Sequence, residues 1–393
     1  MTQSLTGIRV IDFTRVLAGP FCSALLADLG AEVIKVEPPQ GDDYRAIGPM
    51  KDGESALFNV MNRSKQSVVL DLKTDEGRAL AQELAAGADV VLENFRPGVA
   101  ERLGIGYQTL SARNEQLIYV SISGFGQSGP LADRPAYDII LQAMSGLMEA
   151  TGEPDGAPTL VGEAVSDMVA GIFASWGTLA ALLGRERGGK GQHLDVAMFN
   201  ATLSFLATSV SRFLFTGEPA KRVGNRHPLS APFGVYEAGE GYFAVAVLNS
   251  KLFAAFAEAI ERPALADDPR FASDEARSTN EPALRAEIEA WASNMSAEQA
   301  IEKIAAAHVP VAPISSIADA LNSEHAAARR VLMPSPDAPV SSLPVQPVLF
   351  SGEEQPAPRR APKLGEHTGD VLTRLLGHSA EKIAELRALG ALG

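Results

Sequence analysis

The sequence predicts an α/β fold: a large domain built on a parallel, doubly wound sheet, with a smaller α+β domain attached. Three observations predict it. Short apolar runs alternate with helical segments as far as Ser123, the pattern of repeated βαβ units. After about residue 200 that alternation gives way to a hairpin pattern and three helical stretches. Residues 334–362 then hold eight prolines and read as an extended connector leading to a last helix.

The elements follow in order. Gly7 to Phe13 is an apolar run of strand length. Gly19-Pro20 makes a turn, and an apolar helix from Phe21 to Leu29 is closed by Gly30, with proline near its start and glycine just past its end. Strands follow at Ala31 to Glu37 and Ser67 to Leu72. Thr74 caps a helix whose first turn carries Asp75 and Glu76, favoured there by the helix dipole. Leu80 and Leu84 line its inner face, Gly87 ends it, and strands return at Asp89 to Leu92 and Leu117 to Ser123. Met168 to Gly184 is the most apolar stretch, flanked by Asp167 and Arg185. It is at the lower length limit for a bilayer and carries Gly171, Ser175, Gly177 and Thr178, so a buried core helix is expected. Residues 224–249 read as loop plus hairpin, with a strand at Tyr242 to Val247, and helices are expected near 250–261, 281–292 and 297–307. A final helix over 367–389 presents Val371, Leu372, Leu375 and Leu376 on one face. The resulting domain boundaries are 1–200 for the first part of the large domain, 201–224 for a linker, 225–325 for the small domain, 326–362 for a return linker and 363–393 for the end of the large domain.

Composition narrows the function. A net charge of −14 over 393 residues argues against nucleic-acid binding, so an anionic ligand must be met by a local basic pocket. Cys22 stands alone, which excludes an intramolecular disulfide, and with six scattered histidines no metal site is expected. Residues 1–7 lack the basic and apolar regions of a signal peptide, and the expectation is a cytoplasmic protein with no membrane partner.

Gly124-Phe-Gly126-Gln-Ser-Gly129 spells a dinucleotide fingerprint directly after a strand. The fingerprint needs a helix to open at its third glycine, and here Pro130-Leu-Ala-Asp-Arg-Pro135 follows, so these glycines read as loop. The more specific signal is distributed. It comprises Asp12-Phe13, Ala18-Gly-Pro20, Val33-Ile-Lys-Val-Glu37, Glu93-Asn-Phe-Arg-Pro-Gly98, Tyr137-Asp138, Gln142-Ala-Met-Ser-Gly146, Asp167 and Arg185 through Met198. Gly224-Asn-Arg-His-Pro228 and Ala361-Pro-Lys-Leu-Gly365 extend it over nearly the whole chain. In these residues the chain resembles the class III CoA-transferases, a family that also holds the 2-methylacyl-CoA racemases.

The resemblance implies a Rossmann-like large domain, an interlocked ring-shaped homodimer, and coenzyme A thioesters as substrate and product with no permanently bound cofactor. It places the catalytic aspartate at Asp167; read from the residues alone, that acid at a helix start is more often an ordinary cap. By the same resemblance Val16, Leu17, Ala18, Leu70, Lys73, Asn94, Phe95, Arg96, Arg102 and Tyr137 are expected around the coenzyme. Two departures remove cations from the phosphate contacts, Pro38 and Pro135, and leave Arg102, Lys73, Lys35 and Arg96 to compensate. Racemases of the family carry a histidine where this chain has Tyr137, and a phenol of pKa near 10 is a poor base, so transfer is expected over racemisation. The loop Asn225-Arg226-His227-Pro228 lacks the glycines of the formyl-CoA:oxalate enzymes. It suits a small dicarboxylate, oxalate first, with succinate, malate, itaconate and hydroxymethylglutarate as alternatives; Arg226 and His227 equally suit a structural role at the start of the small domain.

Overall fold

The structure is a computed structural model that describes residues 3–393. The chain divides into two compact units: Met1–Leu147 with Leu160–Phe215 and His325–Gly393, and Met148–Thr159 with Thr216–Glu324.

The first unit is built on six parallel strands: β1 (Arg9–Asp12), β2 (Glu32–Glu37), β3 (Gln66–Val69), β4 (Val90–Glu93), β5 (Ile118–Ser123) and β6 (Gln192–Ala197). Their spatial order is β3-β2-β1-β4-β5-β6, the doubly wound order with its switch point between β1 and β4. Successive side chains of a strand point to opposite faces, and here both faces are apolar because both are covered by helices. Ile11, Ile34, Val68 and Val91 face one core, and Val10, Val33, Val90 and Ile118 face the other.

Helix α1 (Ala18–Asp28) follows β1, α2 (Asp75–Ala86) follows β3, α3 (Asp138–Met144) and α4 (Val165–Glu186) lie between β5 and β6, and α5 (Met198–Phe205) and α6 (Ala207–Thr216) follow β6. Thr74 caps α2 as its sequence predicts, accepting the Gly77 N–H at 3.0 Å. The chain end returns as α7 (Thr368–Leu376) and α8 (Ala380–Ala388), whose Val371, Leu372, Ile383 and Leu386 complete the first core.

The second unit carries an antiparallel sheet in the order β9 (Val311–Pro313), β8 (Tyr242–Ala246), β7 (Phe233–Glu237), with helices at Ser250–Ala259, Glu281–Ala292 and Ala297–Ala306. Phe243, Phe253, Phe256, Ile288 and Ile304 form its core.

Several expectations are corrected. The last helix is two, because Gly377 stops α7 in the left-handed conformation at φ 70°. Residues 201–216, read as linker, are mostly helical. A hairpin, Leu332–Pro334 against Ser342–Pro344, interrupts the proline-rich connector. Met148–Thr159 joins the second unit, tied to it by Gly224 N–H donating to Gly152 O at 3.0 Å and by an Arg222–Glu149 ion pair at 2.9 Å. Helix α4 buries only one stripe, including Ala170, Gly171, Ala174 and Thr178, and leaves Ile172, Trp176 and Leu183 exposed. It is the one helix, among the described residues, long and apolar enough to cross a membrane by length and composition alone.

Candidate active site

Loops leaving β1 and β4 diverge at the switch point, and the crevice they open is where a doubly wound sheet accepts its ligand. A cavity of about 530 Å³ occupies that position. Arg15, Val16 and Ala18 line it after β1; Asn94, Phe95, Arg96 and Arg102 after β4; Ser123, Gly124, Arg134 and Tyr137 after β5; and Asp167 closes it from the start of α4.

Asp167 is placed by the approach of two helices. Gly171, one turn further along α4, meets the first turn of α1 so closely that a Cβ there would stand 2.8 Å from Ala18 O. That approach sets the Asp167 carboxylate beside the start of α1, on the same cavity wall as Ala18, whose backbone N–H favours its anion. The acid thus faces the amino terminus of α1 while sitting in the first turn of α4, and both helix dipoles favour its anion. Burial opposes them more strongly. Desolvation first, and the charge of Asp138 second, push its pKa up to about 7, and the Ala18 N–H only partly offsets them.

Two side chains of α3 fix the chain where it enters α4. Asp138 Oδ1 accepts the Ser166 N–H at 2.7 Å, and its Oδ2 accepts Gln142 Nε2 at 2.7 Å. Gln142, fully buried, accepts the Val161 N–H at 2.9 Å and donates to Glu163 O at 3.1 Å. Tyr137 immediately precedes α3 and is 70% exposed at the cavity wall.

Arg96, Arg102 and Arg134 line the cavity, and none of the three forms an ion pair among the described residues. A second hollow adjoins it, sharing Arg15 and Phe95, whose guanidinium and ring centroid are 5.5 Å apart. Leu70, Leu72, Lys73 and Pro38 line that hollow.

The sequence-derived site residues therefore gather in part. Val16, Ala18, Asn94, Phe95, Arg96, Arg102, Tyr137 and Asp167 share one cavity, and Leu70 and Lys73 the next. Leu17 is buried, 4% exposed, and is absent from both linings. Lys35 also lines the second hollow, but its fully buried ammonium donates to Thr14 O at 2.7 Å and pairs with Asp42 at 2.8 Å, so it presents no free charge to a phosphate. Asn225, Arg226 and His227 lie in the second unit and line a hollow there. They are held against β7: Val235 N–H donates to Asn225 O at 2.8 Å, His227 N–H donates to Phe233 O at 2.7 Å, and the His227 ring stacks on Phe233 at 4.7 Å.

Sequence reasoning missed two residues. Arg134 lies beside Pro135, in a segment that offered only loop signals. Glu93, buried at the end of β4, accepts the Phe95 N–H at 2.8 Å and so sets the turn carrying Asn94 and Phe95; burial pushes its pKa up to about 7. Its place in Glu93-Asn-Phe95 was visible, but a strand-end acid reads as exposed.

Fold and site together define a doubly wound α/β protein with a buried carboxyl group at the end of a crevice lined by arginines. The chain belongs to CoA-transferase family III, whose model matches residues 5–368. It is 47% identical, over 92% of each chain, to the acetyl-CoA:oxalate CoA-transferase of Acetobacter aceti. It is 40% identical, over 94% of this chain and 95% of the relative, to the succinate–glutarate CoA-transferase of Agrobacterium fabrum. A succinyl-CoA:mesaconate CoA-transferase of Haloarcula hispanica is 38% identical over 94% of this chain and 96% of its own. Among solved structures, a CAIB/BAIF family protein from Brucella suis superposes with a TM-score of 0.85 at 38% identity, covering 95% of this chain and all of that one.

Proposed function

We propose that the protein moves coenzyme A from a short acyl-CoA (acetyl-CoA, formyl-CoA or succinyl-CoA) to a small carboxylate, oxalate first among them, with Asp167 as the nucleophile. The observation that carries this reading is the Asp167 carboxyl itself, buried beside the Ala18 N–H at the end of a crevice lined by three arginines that form no ion pair among the described residues. A pKa of about 7 leaves a substantial fraction ionised at neutral pH and makes that fraction a stronger nucleophile than an ordinary carboxylate.

The steps balance without a metal or a nucleotide. The Asp167 carboxylate attacks the thioester carbonyl and expels CoA thiolate, leaving an acyl-aspartyl anhydride. The thiolate attacks the aspartyl carbonyl and releases the donor acid, leaving an aspartyl-CoA thioester. The acceptor carboxylate attacks that thioester to form a second anhydride and expels the thiolate again. Attack of the thiolate on the acceptor carbonyl forms the product thioester and returns the Asp167 carboxylate. Orientation within the crevice supplies most of the acceleration, because the reacting groups stay bound throughout.

In this reading Arg96, Arg102 and Arg134 meet the coenzyme phosphates and Leu70, Leu72 and Lys73 the nucleoside end, which their positions on two adjoining hollows support. The 47% identity to an oxalate enzyme supports oxalate, while relatives named for glutarate and mesaconate keep another dicarboxylate as the second reading. The exposed apolar face of α4, with Ile172, Trp176 and Leu183, supports a homodimer, which we take to be the interlocked ring. The one cysteine, buried and unpaired, suits a cytoplasmic enzyme.

The test is mass spectrometry of CoA thioesters after incubation with acetyl-CoA and oxalate in D₂O. Oxalyl-CoA without deuterium in the donor is expected, and Asp167→Ala should abolish it while leaving CoA affinity nearly unchanged. Retained turnover in that variant overturns the mechanism; no new thioester with oxalate, but one with glutarate or mesaconate, overturns the acceptor.

A further inference from the structure

Val16 stands at φ 71°, in the left-handed region that β-branched side chains strongly disfavour. Of the six non-glycine residues with positive φ among the described residues, it is the one with a β-branched side chain. Such a conformation persists only where its surroundings over-determine it, and it points to function when it lies at a site. Two residues further on is the Ala18 N–H that engages Asp167.

The surroundings are explicit. Asn94 takes both backbone groups of Arg15, accepting its N–H at 2.9 Å and donating to its carbonyl at 2.7 Å. Asp42 Oδ1 accepts the Val16 N–H at 3.2 Å, and its Oδ2 lies 2.8 Å from Lys35 Nζ. Lys35 in turn donates to Thr14 O at 2.7 Å. Three successive residues of the turn are therefore gripped by side chains from outside it, two of them charged and fully buried. The Asn94 amide, expected to meet coenzyme, makes this grip with its Oδ1 and one N–H.

We propose that Asn94 and the buried Lys35–Asp42 pair are positioning residues for the transfer reaction: they hold Val16 in its left-handed conformation and so keep the Ala18 N–H on the Asp167 carboxylate. The proposal rests on the reading of Asp167 as nucleophile. Released from the grip, Val16 relaxes to negative φ, the start of α1 turns away, and Asp167 loses the donor that favours its anion. The titratable groups facing Asp167 are Asp138 at the start of α3, Tyr137 beside it and Tyr44 after β2, with Arg15, Arg96, Arg102 and Arg134 on the cavity wall. Of these only Arg15 is tied to Asn94, through its backbone, and loss of its cation from the cavity wall would move the Asp167 limb in the same upward direction.

The experiment compares kcat and KM across pH for the wild type, Asn94→Ala, Asp42→Asn and the double variant Val16→Gly/Asn94→Ala, in the full-length enzyme. Asn94→Ala should lower kcat about tenfold, less than the loss of a whole oxyanion donor. It should leave the KM for acyl-CoA within about twofold and move the acidic limb of the kcat profile to higher pH. Glycine accepts positive φ freely, so the double variant should regain much of the lost kcat. Asp42→Asn removes a negative charge, which alone would move the limb down, so an upward movement there reports the lost grip. A rise in KM with the limb unmoved would show Asn94 to be a coenzyme contact and overturn the proposal, as would an unchanged kcat. Turnover retained in Asp167→Ala would remove the underlying reading; a dead Asp167→Ala with an unmoved limb in Asn94→Ala removes the positioning role alone.

Discussion

Replacing Asp167 by asparagine should stabilise the protein, and the gain should grow with pH. Burial, then the charge of Asp138, raise this carboxyl from 3.8 to about 7 in the folded chain. A carboxyl whose folded-state pKa exceeds its unfolded value holds its proton more tightly when folded. The fold therefore loses stability as pH climbs between those two values, and the penalty is complete above the higher one. At about 1.4 kcal/mol for each tenfold change, the full gap amounts to about 4 kcal/mol. The carboxylate opens onto a solvent-accessible cavity, so about 2–4 kcal/mol is the expected gain at pH 8, shrinking toward zero near pH 4. Asparagine keeps an oxygen for the Ala18 N–H and nearly the same shape, which isolates the charge. Scanning calorimetry of both proteins at pH 4 and pH 8 reads the effect as a Tm difference, roughly 2 °C per kcal/mol for a unit of this size. A Tm gap equal at the two pH values, or a less stable variant at pH 8, would refute the reasoning.

The remaining predictions use the same geometry. Asp138→Asn removes the like charge beside Asp167, so the acidic limb of kcat should move to lower pH, opposite in sign to Asn94→Ala; a pH–rate profile decides. Gly171→Ala would place a methyl group 2.8 Å from Ala18 O, forcing α4 off α1, and should cost at least tenfold in kcat as well as a lower Tm. Arg102→Ala and Arg96→Ala should each raise the KM for acyl-CoA about tenfold with little change in kcat, because a phosphate contact is made equally in ground and transition states. Cys22 is buried and its thiol pKa is pushed well above the ordinary value by burial, so iodoacetamide should label it only after unfolding, as read by mass spectrometry.

What was legible in the sequence is what burial makes repetitive. Strands β1 to β5 read as apolar runs because helices cover both faces of the sheet, and the capping of α2 was written in Thr74 and its acidic first turn. Strand β6 reads His193-Leu-Asp195-Val, with polar residues at alternate positions, because it closes the edge of the sheet. No apolar run marks it. The exposed face of α4 could not be told from a buried one, since composition records apolar area and not what covers it. The same limit applies to charge. Lys35 lies within Val33-Ile-Lys-Val-Glu37 and Lys65 just before β3, and nothing local says that both are buried with Asp12 and Asp42. Their partners come from the end of β1, the first turn of α1 and the segment after β2, which the sheet brings together: Lys65 Nζ sits 3.1 Å from Asp12 and 3.0 Å from Pro20 O, and Lys35 pairs with Asp42. A cation inside an apolar strand was therefore read as a phosphate ligand when it is an internal brace.

That brace explains how a turn between β1 and α1 can carry chemistry without a glycine-rich phosphate loop. In a dinucleotide site, glycines let the turn adopt positive φ and approach the ligand at little steric cost. Here Val16 takes the positive φ, and fixed side chains supply what glycine would have supplied in freedom. The exchange favours a nucleophile over a bound phosphate. A flexible glycine turn adapts to whatever anion arrives, whereas in the proposed reaction Asp167 would have to meet its donor in the same geometry at every step, as thioester and anhydride replace one another on the carboxyl group. Burial raises the acid's pKa, and the N–H limits that rise, so the position of one backbone amide sets how much of the nucleophile is ionised at neutral pH. Lys35, Asp42 and Asn94 hold the turn that carries that amide, and on the proposed reading the ionised fraction of Asp167 is the property they tune.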